Sequence, residues 1–182
     1  MIRDDAMVLL QSHVNTKNLI KHCLACEAVL GALAPRLGGD PEQWRLAGLL
    51  HDVDYDQTLD SPETHALIGA EVLKQAGLDG EVVHAVLAHA DKAPRVSALD
   101  KALWCTDPLT GLIVAASLIR PEKKLAVIGA AFVLNRFKEK GFARGANREQ
   151  IAACEQELGL TLEEFIAVGL AAMQGISDEL GL

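Results

Sequence analysis

The chain has 182 residues, enough for one domain whose apolar core needs no disulfide or metal staple to fold. Half of it is hydrophobic but only 4% is aromatic, and this Ala-, Leu- and Val-rich mixture favours packed helices over sheets. The 23% share of charged residues excludes wholesale disorder, and a net charge of -8 argues against nonspecific nucleic-acid binding.

The start, MIRDDAM, lacks an apolar run behind a basic flank, so no secretory signal is expected. The longest apolar stretch, residues 125–134, is about half a membrane span, so no membrane association is expected. Cys23 and Cys26 form a Cys-x-x-Cys pair without the second pair that a zinc site would want. With Cys105 and Cys154 they read as small packing groups in a reducing cytoplasm.

Helix signals then follow almost without a gap. Residues 3–13 form a first helix, and Thr16 caps a long second one that Gly38 and Gly39 stop near Leu37. Asp40, Pro41 and Gln43 resemble a capping box for a helix that carries Leu46, Leu49 and Leu50 towards His51. Ser61 and Pro62 open another that ends at Gly77, and Asp79 starts one through His89. Ser97 with Asp100 opens a helix in which Pro108 should cause a bend. Pro121 to about Lys140 reads as a further helix, Asn147 with Gln150 and Thr161 with Glu164 as two more capping boxes, and the tail after Met173 as fraying. The expectation is an all-α chain of about eight helices.

Histidines and aspartates fall on the apolar stripes of these helices. His22 shares a stripe with Leu19, Cys26 and Val29, and His65 heads one with Ile68, Gly69 and Val72. His89 closes another with Val82 and Val86, while Asp107 lies three residues after Trp104 in a strongly apolar helix. His51 and Asp52 are adjacent, so both reach one point only where their helix is ending. His13 and His84 lie off these stripes and read as surface or structural residues. Singly, each position has an ordinary explanation: a hydrogen-bonded core imidazole, an Asp52 that caps a turn, an Asp107 that meets Lys101. Together they are costly to bury, and one shared metal centre explains them all.

The residues NLIKHCLACEAV around His22, LAGLLHDVDYD around His51 and Asp52, and ALWCTDPLTGL around Asp107 resemble the HD-domain metal-dependent phosphohydrolases. THALIGAEVL with His65 and VVHAVLAHAD with His89 resemble the additional histidines of that family's dinuclear subset. The resemblance extends through ANREQ and LEEFI, over nearly the whole chain, and is to small stand-alone bacterial or archaeal members. It implies a single compact HD domain over 1–182, with a metal-binding core at about 16–120 completed by the C-terminal helices. It also implies that His22, His51, Asp52 and Asp107 ligate a first divalent ion, and that Asp52 bridges to a second held by His65 and His89. The chain departs from the family's His-Asp-Ile-Gly form, with Val53 and Asp54 in place of the last two residues.

Nitrogen and oxygen ligands suit Mn, Fe, Co, Ni, Mg or Zn, bound as one ion or two. The implied activity is hydrolysis of a small phosphomonoester or nucleotide. The alternatives are a phosphodiesterase on a cyclic or linear nucleotide, or a noncatalytic module that binds a phosphorylated ligand. Asp54, as an extra acid that orients water or the second ion, and Lys92, as a cation beside a ligand-bearing helix, are the candidate catalytic residues. The expected partner is a small phosphorylated molecule. Nucleic acid is not expected, since neither an aromatic platform nor a basic stripe is visible, and a homo-oligomer stays open.

Overall fold

A computed structural model describes all 182 residues, and no strand occurs among them. The helices are α1 (Arg3–His13), α2 (Lys17–Leu37), α3 (Pro41–Leu50), the single turn α4 (Tyr55–Thr58), α5 (Leu67–Gln75), α6 (Gly80–His89), α7 (Ala98–Leu118), α8 (Ala130–Lys138), the short α9 (Arg148–Ala152) and α10 (Cys154–Leu158), α11 (Leu162–Gln174) and α12 (Ser177–Leu180). Two 3-10 turns lie at Pro62–Thr64 and Leu125–Val127. Eight of the α-helices run nine residues or longer, the all-helical architecture that the composition implies.

Five N-caps do what their residue types dictate, whereas Thr16 and Ser61 stand at N-cap positions without the side-chain bond expected of them. The Asp40 carboxylate accepts from the amides of Glu42 and Gln43, and Asp79 accepts from that of Glu81. Ser97 with Asp100 and Thr161 with Glu164 close reciprocal capping boxes on α7 and α11. Asn147 caps α9, but Gln150 does not reciprocate. Its side-chain amide instead donates to the carbonyl of Trp104. That carbonyl lies four residues before Pro108, which has no N–H to offer it. The orphaned acceptor is therefore satisfied from α9, and α7 continues through the proline to Leu118.

One apolar core joins the N-terminal and C-terminal helices, from Ala6 and Leu10 through α2, α3 and α7 to Phe165, Met173 and Leu180. α2 and α3 approach until a Cβ on Gly48 would lie 2.7 Å from the backbone of Cys26 and Glu27. Only glycine permits that contact, and it brings the end of α3, with His51, against the His22 turn of α2.

Three expectations are corrected. The helix expected from Pro62 to Gly77 is broken: a 3-10 turn comes first, and Ala66 adopts a left-handed φ of 64° before α5 begins. The helix expected from Pro121 starts only at Ala130, because a turn through Lys123 (φ 51°) precedes it. The tail after Met173 does not fray, since α12 buries Leu180 against the core. No helix is long and apolar enough to cross a membrane.

Candidate metal centre

The six candidate ligand residues lie around one cleft, and each is delivered by a different local device. α2 carries His22 directly, and α7 carries Asp107 one residue before its proline. His51 is the residue after α3, and Asp52 follows in the turn leading to α4, so the finishing helix lets neighbours converge. His89 ends α6, while His65 stands outside any α-helix, between the 3-10 turn and α5. The cleft has a volume of about 510 Å³ and is lined by Asn18, Leu19, Tyr55 and Ala90 beside His22, Asp52, His65, His89 and Asp107. His51 is fully buried beneath it.

The hydrogen bonds fix which imidazole nitrogen faces the centre. His51 Nδ1 lies 2.9 Å from the Gly48 carbonyl, and His89 Nδ1 bonds the Val86 carbonyl. Carbonyls only accept, so both Nδ1 atoms carry the proton. The Thr110 hydroxyl donates to the Asp107 carbonyl at 3.0 Å, which leaves its oxygen to accept from His22 Nδ1, also at 3.0 Å. His65 Nδ1 donates to the Asp54 carboxylate at 2.9 Å. All four Nε2 atoms are thereby turned towards the aspartates.

Asp52 divides them into two sets. Its Oδ2 faces His22 Nε2 at 3.7 Å and His51 Nε2 at 3.5 Å, while Asp107 Oδ1 lies 3.1 Å from His22 Nε2 and 4.0 Å from His51 Nε2. Its Oδ1 faces His65 Nε2 at 3.4 Å and His89 Nε2 at 3.5 Å. Ligand atoms on one ion with bonds of about 2.1 Å sit roughly 3.0–3.4 Å apart; one distance in each set meets that spacing, and the others are wider, reaching 4.0 Å. The donors pass a second test. His22 Nε2 and His51 Nε2 approach to 3.1 Å with Nδ1 of each ring committed to its far partner, so the two nitrogens face a common point that a proton or a metal ion can fill. The cluster is therefore suited to hold divalent metal among nitrogen and oxygen donors.

Electrostatics agree with that donor set. Burial pushes His51 down to about 4, which leaves its lone pair free at neutral pH. Burial also opposes charge on His22, but Cys26 and Asp107 beside it prevail and hold that imidazole well above its ordinary value. Asp52 is kept well below the usual carboxylate range despite burial, because His51, His89 and His22 surround it. Asp107 is likewise lowered, chiefly by the bond to His22 working against burial. Cys26 lies 3.9 Å from His22 Nε2 and 4.0 Å from Nδ1, so its sulfur rests against the ring, within metal-ligating reach of His22 and His51. Burial raises that thiol, so it packs as a neutral group.

The other singled-out residues lie elsewhere. Asp54, expected as an acid near the reacting groups, is 1% exposed and faces neither solvent nor cleft, being bonded to His65 and to the Gly69 amide. Lys92 is exposed, beyond the cleft wall that ends at Ala90. His84 bonds Asp100 between α6 and α7, and Lys101 pairs with Glu157 rather than Asp107. Sequence reading missed Thr110, Asn18 and Tyr55. Thr110 alone left a signal, standing three residues after Asp107 and so on the same face of α7.

A family model of the HD domain matches residues 19–160. Ribonuclease Y of Nitratidesulfovibrio vulgaris (strain DP4) is 35% identical over 98 residues, which are 53% of this chain and 18% of that protein. Ribonuclease Y of Oleidesulfovibrio alaskensis is 33% identical over 96 residues, again 53% of this chain and 18% of the relative. Ribonuclease Y of Desulfotalea psychrophila is 34% identical over 162 residues, 86% of this chain and 31% of the relative. The chain thus spans a fifth to a third of the length of these relatives. They overturn the expectation that nucleic acid is no partner. That expectation rested on whole-chain charge and on the lack of aromatics, neither of which describes the cleft itself.

Proposed function

The chain belongs to the HD-domain family, and from that premise we propose that it is a divalent-metal-dependent phosphohydrolase that cleaves phosphodiester bonds of RNA. The observation that carries the metal-dependent part is the division of Asp52 between two sets of imidazoles. In this reading His22, His51, Asp107 and Asp52 would hold one ion, and His65 and His89 with Asp52 would hold the other. When bound, such ions polarise phosphoryl oxygens and bring the pKa of water towards neutrality.

The residues around them have separate tasks. The Nδ1 partners keep the imidazoles from turning as charge develops. Leu19 and Ala90 limit water at the walls, and the Asn18 amide stands at the rim as a donor for a nonbridging phosphate oxygen.

The substrate class rests on the relatives named Ribonuclease Y and on the room beside the centre. A cavity of about 460 Å³ with Lys21 in its wall shares Asn18 and His22 with the cleft. Another of about 320 Å³ along Gly145 and Ala146 shares His22 and Asp107. A strand passing the centre needs space on both sides of the scissile phosphate, and a small monoester does not.

One observation favours a second reading, hydrolysis of a small phosphomonoester or nucleotide. Lys21 is the one cation lining these three cavities, few for a polyanion. The readings separate on a panel of aryl monoester, aryl diester, nucleoside monophosphate and single-stranded oligoribonucleotide, assayed with Mn, Co, Ni or Mg. RNA cleavage that is lost in Asp107→Ala is expected. Turnover of monoesters with RNA left intact would replace the first reading by the second.

A further inference from the structure

Three of the four imidazoles owe their orientation to a neutral partner, and His65 does not. His51 and His89 end helices, and each donates Nδ1–H to the carbonyl three residues earlier on its own helix. His22 uses the Thr110 hydroxyl. His65 follows only a three-residue 3-10 turn, and the carbonyl three residues before it, Pro62, already accepts from the His65 backbone amide at 3.3 Å. With Ala66 left-handed immediately after it, His65 Nδ1 bonds no local carbonyl and reaches a side chain from another element.

Asp54 supplies the missing acceptor. Its side chain is fully buried; Oδ1 lies 2.9 Å from His65 Nδ1, and Oδ2 accepts the Gly69 amide at 2.7 Å. A Cβ on Gly69 would lie 3.2–3.3 Å from that carboxylate, so the glycine leaves room for it to dock. The Asp54 backbone carbonyl is fixed in turn by the amide and hydroxyl of Thr58, both at 3.0 Å. The carboxylate is thus clamped between the start of α5 and α4, with His65 Nε2 pointing at Asp52 Oδ1.

We propose that Asp54 is the positioning residue of the second half of the centre: it locks His65 as the Nδ1–H tautomer and strengthens Nε2 as a donor to the ion shared with His89 and Asp52. This rests on the two-ion reading above. A carboxylate on the far nitrogen of a ligating imidazole fixes the ring and raises its basicity, and losing such a partner typically weakens binding about 10–100-fold. The half held by His22, His51 and Asp107 has no such support, so the effect is confined to one ion. Asp54 touches no substrate, and its role runs through His65.

The test is calorimetric titration of chelator-stripped protein with Mn2+, for the intact chain, Asp54→Asn, His65→Ala and the double variant. Asparagine has the same shape, but it cannot accept from both His65 and Gly69 as a carboxylate does. The expected result is a second-ion affinity about 10–100-fold weaker in Asp54→Asn, with the first within about twofold, and no further loss when Asp54→Asn is added to His65→Ala. Unchanged affinity for both ions overturns the proposal, as does equal weakening of both with a lowered thermal midpoint, which is what a merely structural Asp54 gives. Imidazole nitrogen shifts of the intact chain test it without a variant: a protonated Nδ1 on His65 is expected, and a protonated Nε2 with free Nδ1 overturns it. An intact chain that binds no divalent ion overturns the metal centre itself.

Discussion

At the residue scale, the centre is a set of imidazoles whose protons are placed by their far partners. His22 Nε2 lies 3.1 Å from Asp107 Oδ1, and this contact helps hold the imidazole above its ordinary pKa against burial, so His22 keeps its proton to a higher pH than a free imidazole does. An ion needs its lone pair, so ion uptake must expel that proton. Affinity should therefore rise with pH until His22's own pKa is passed and level off beyond it. Titrations in two buffers of different ionisation enthalpy should show proton release that grows as pH falls; none at any pH would remove His22 from the ligand set. His51, pushed down to about 4, contributes no proton in that range. Thr110→Val should cost the His22 half about tenfold in ion affinity, since the ring loses the hydroxyl that orients it. The six candidate residues were marked in the sequence because imidazoles and carboxylates on apolar stripes have a cost that one ion explains. Their Nδ1 partners were not marked: Thr110 is 88 residues from His22, and nothing local joins Asp54 to His65.

At the element scale, the caps on α3, α6, α7, α9 and α11 were legible because each is a bond within four residues, while those expected of Thr16 and Ser61 do not form. The breaks were not. The helix pattern runs unbroken through His65, and it is Asp54, from another element, that takes both the His65 ring and the Gly69 amide. Pro108 shows the converse, since its expected penalty is relieved from α9 by a residue that reads as a cap partner. Gln150→Ala should lower stability by about 1 kcal/mol, because the Trp104 carbonyl then has no donor. In a Pro108→Ala background the helix supplies that donor itself, and the same change should cost much less. Chemical denaturation of the four proteins measures the difference; an equal cost in both backgrounds would mean that Gln150 acts through something other than the carbonyl.

At the scale of the molecule, the core that buries the centre also contains Phe165, Met173 and Leu180, so α11 and α12 brace α2 from behind. We read residues 1–182 as one folding unit, and thermal unfolding should be a single transition that shifts upward as divalent ion is added. Whole-chain charge misled at this scale. A net charge of -8 counts Asp52 and Asp107 as repulsive, although bound ions would turn that region of the cleft towards phosphate. RNA cleavage by the centre is measured by following a labelled single-stranded oligoribonucleotide while Mn2+ is returned to chelator-stripped protein. Cleavage should be absent without ion, rise to saturation at two ions per chain, and vanish in Asp52→Asn. Protein that holds both ions and leaves the RNA intact would contradict the proposed function.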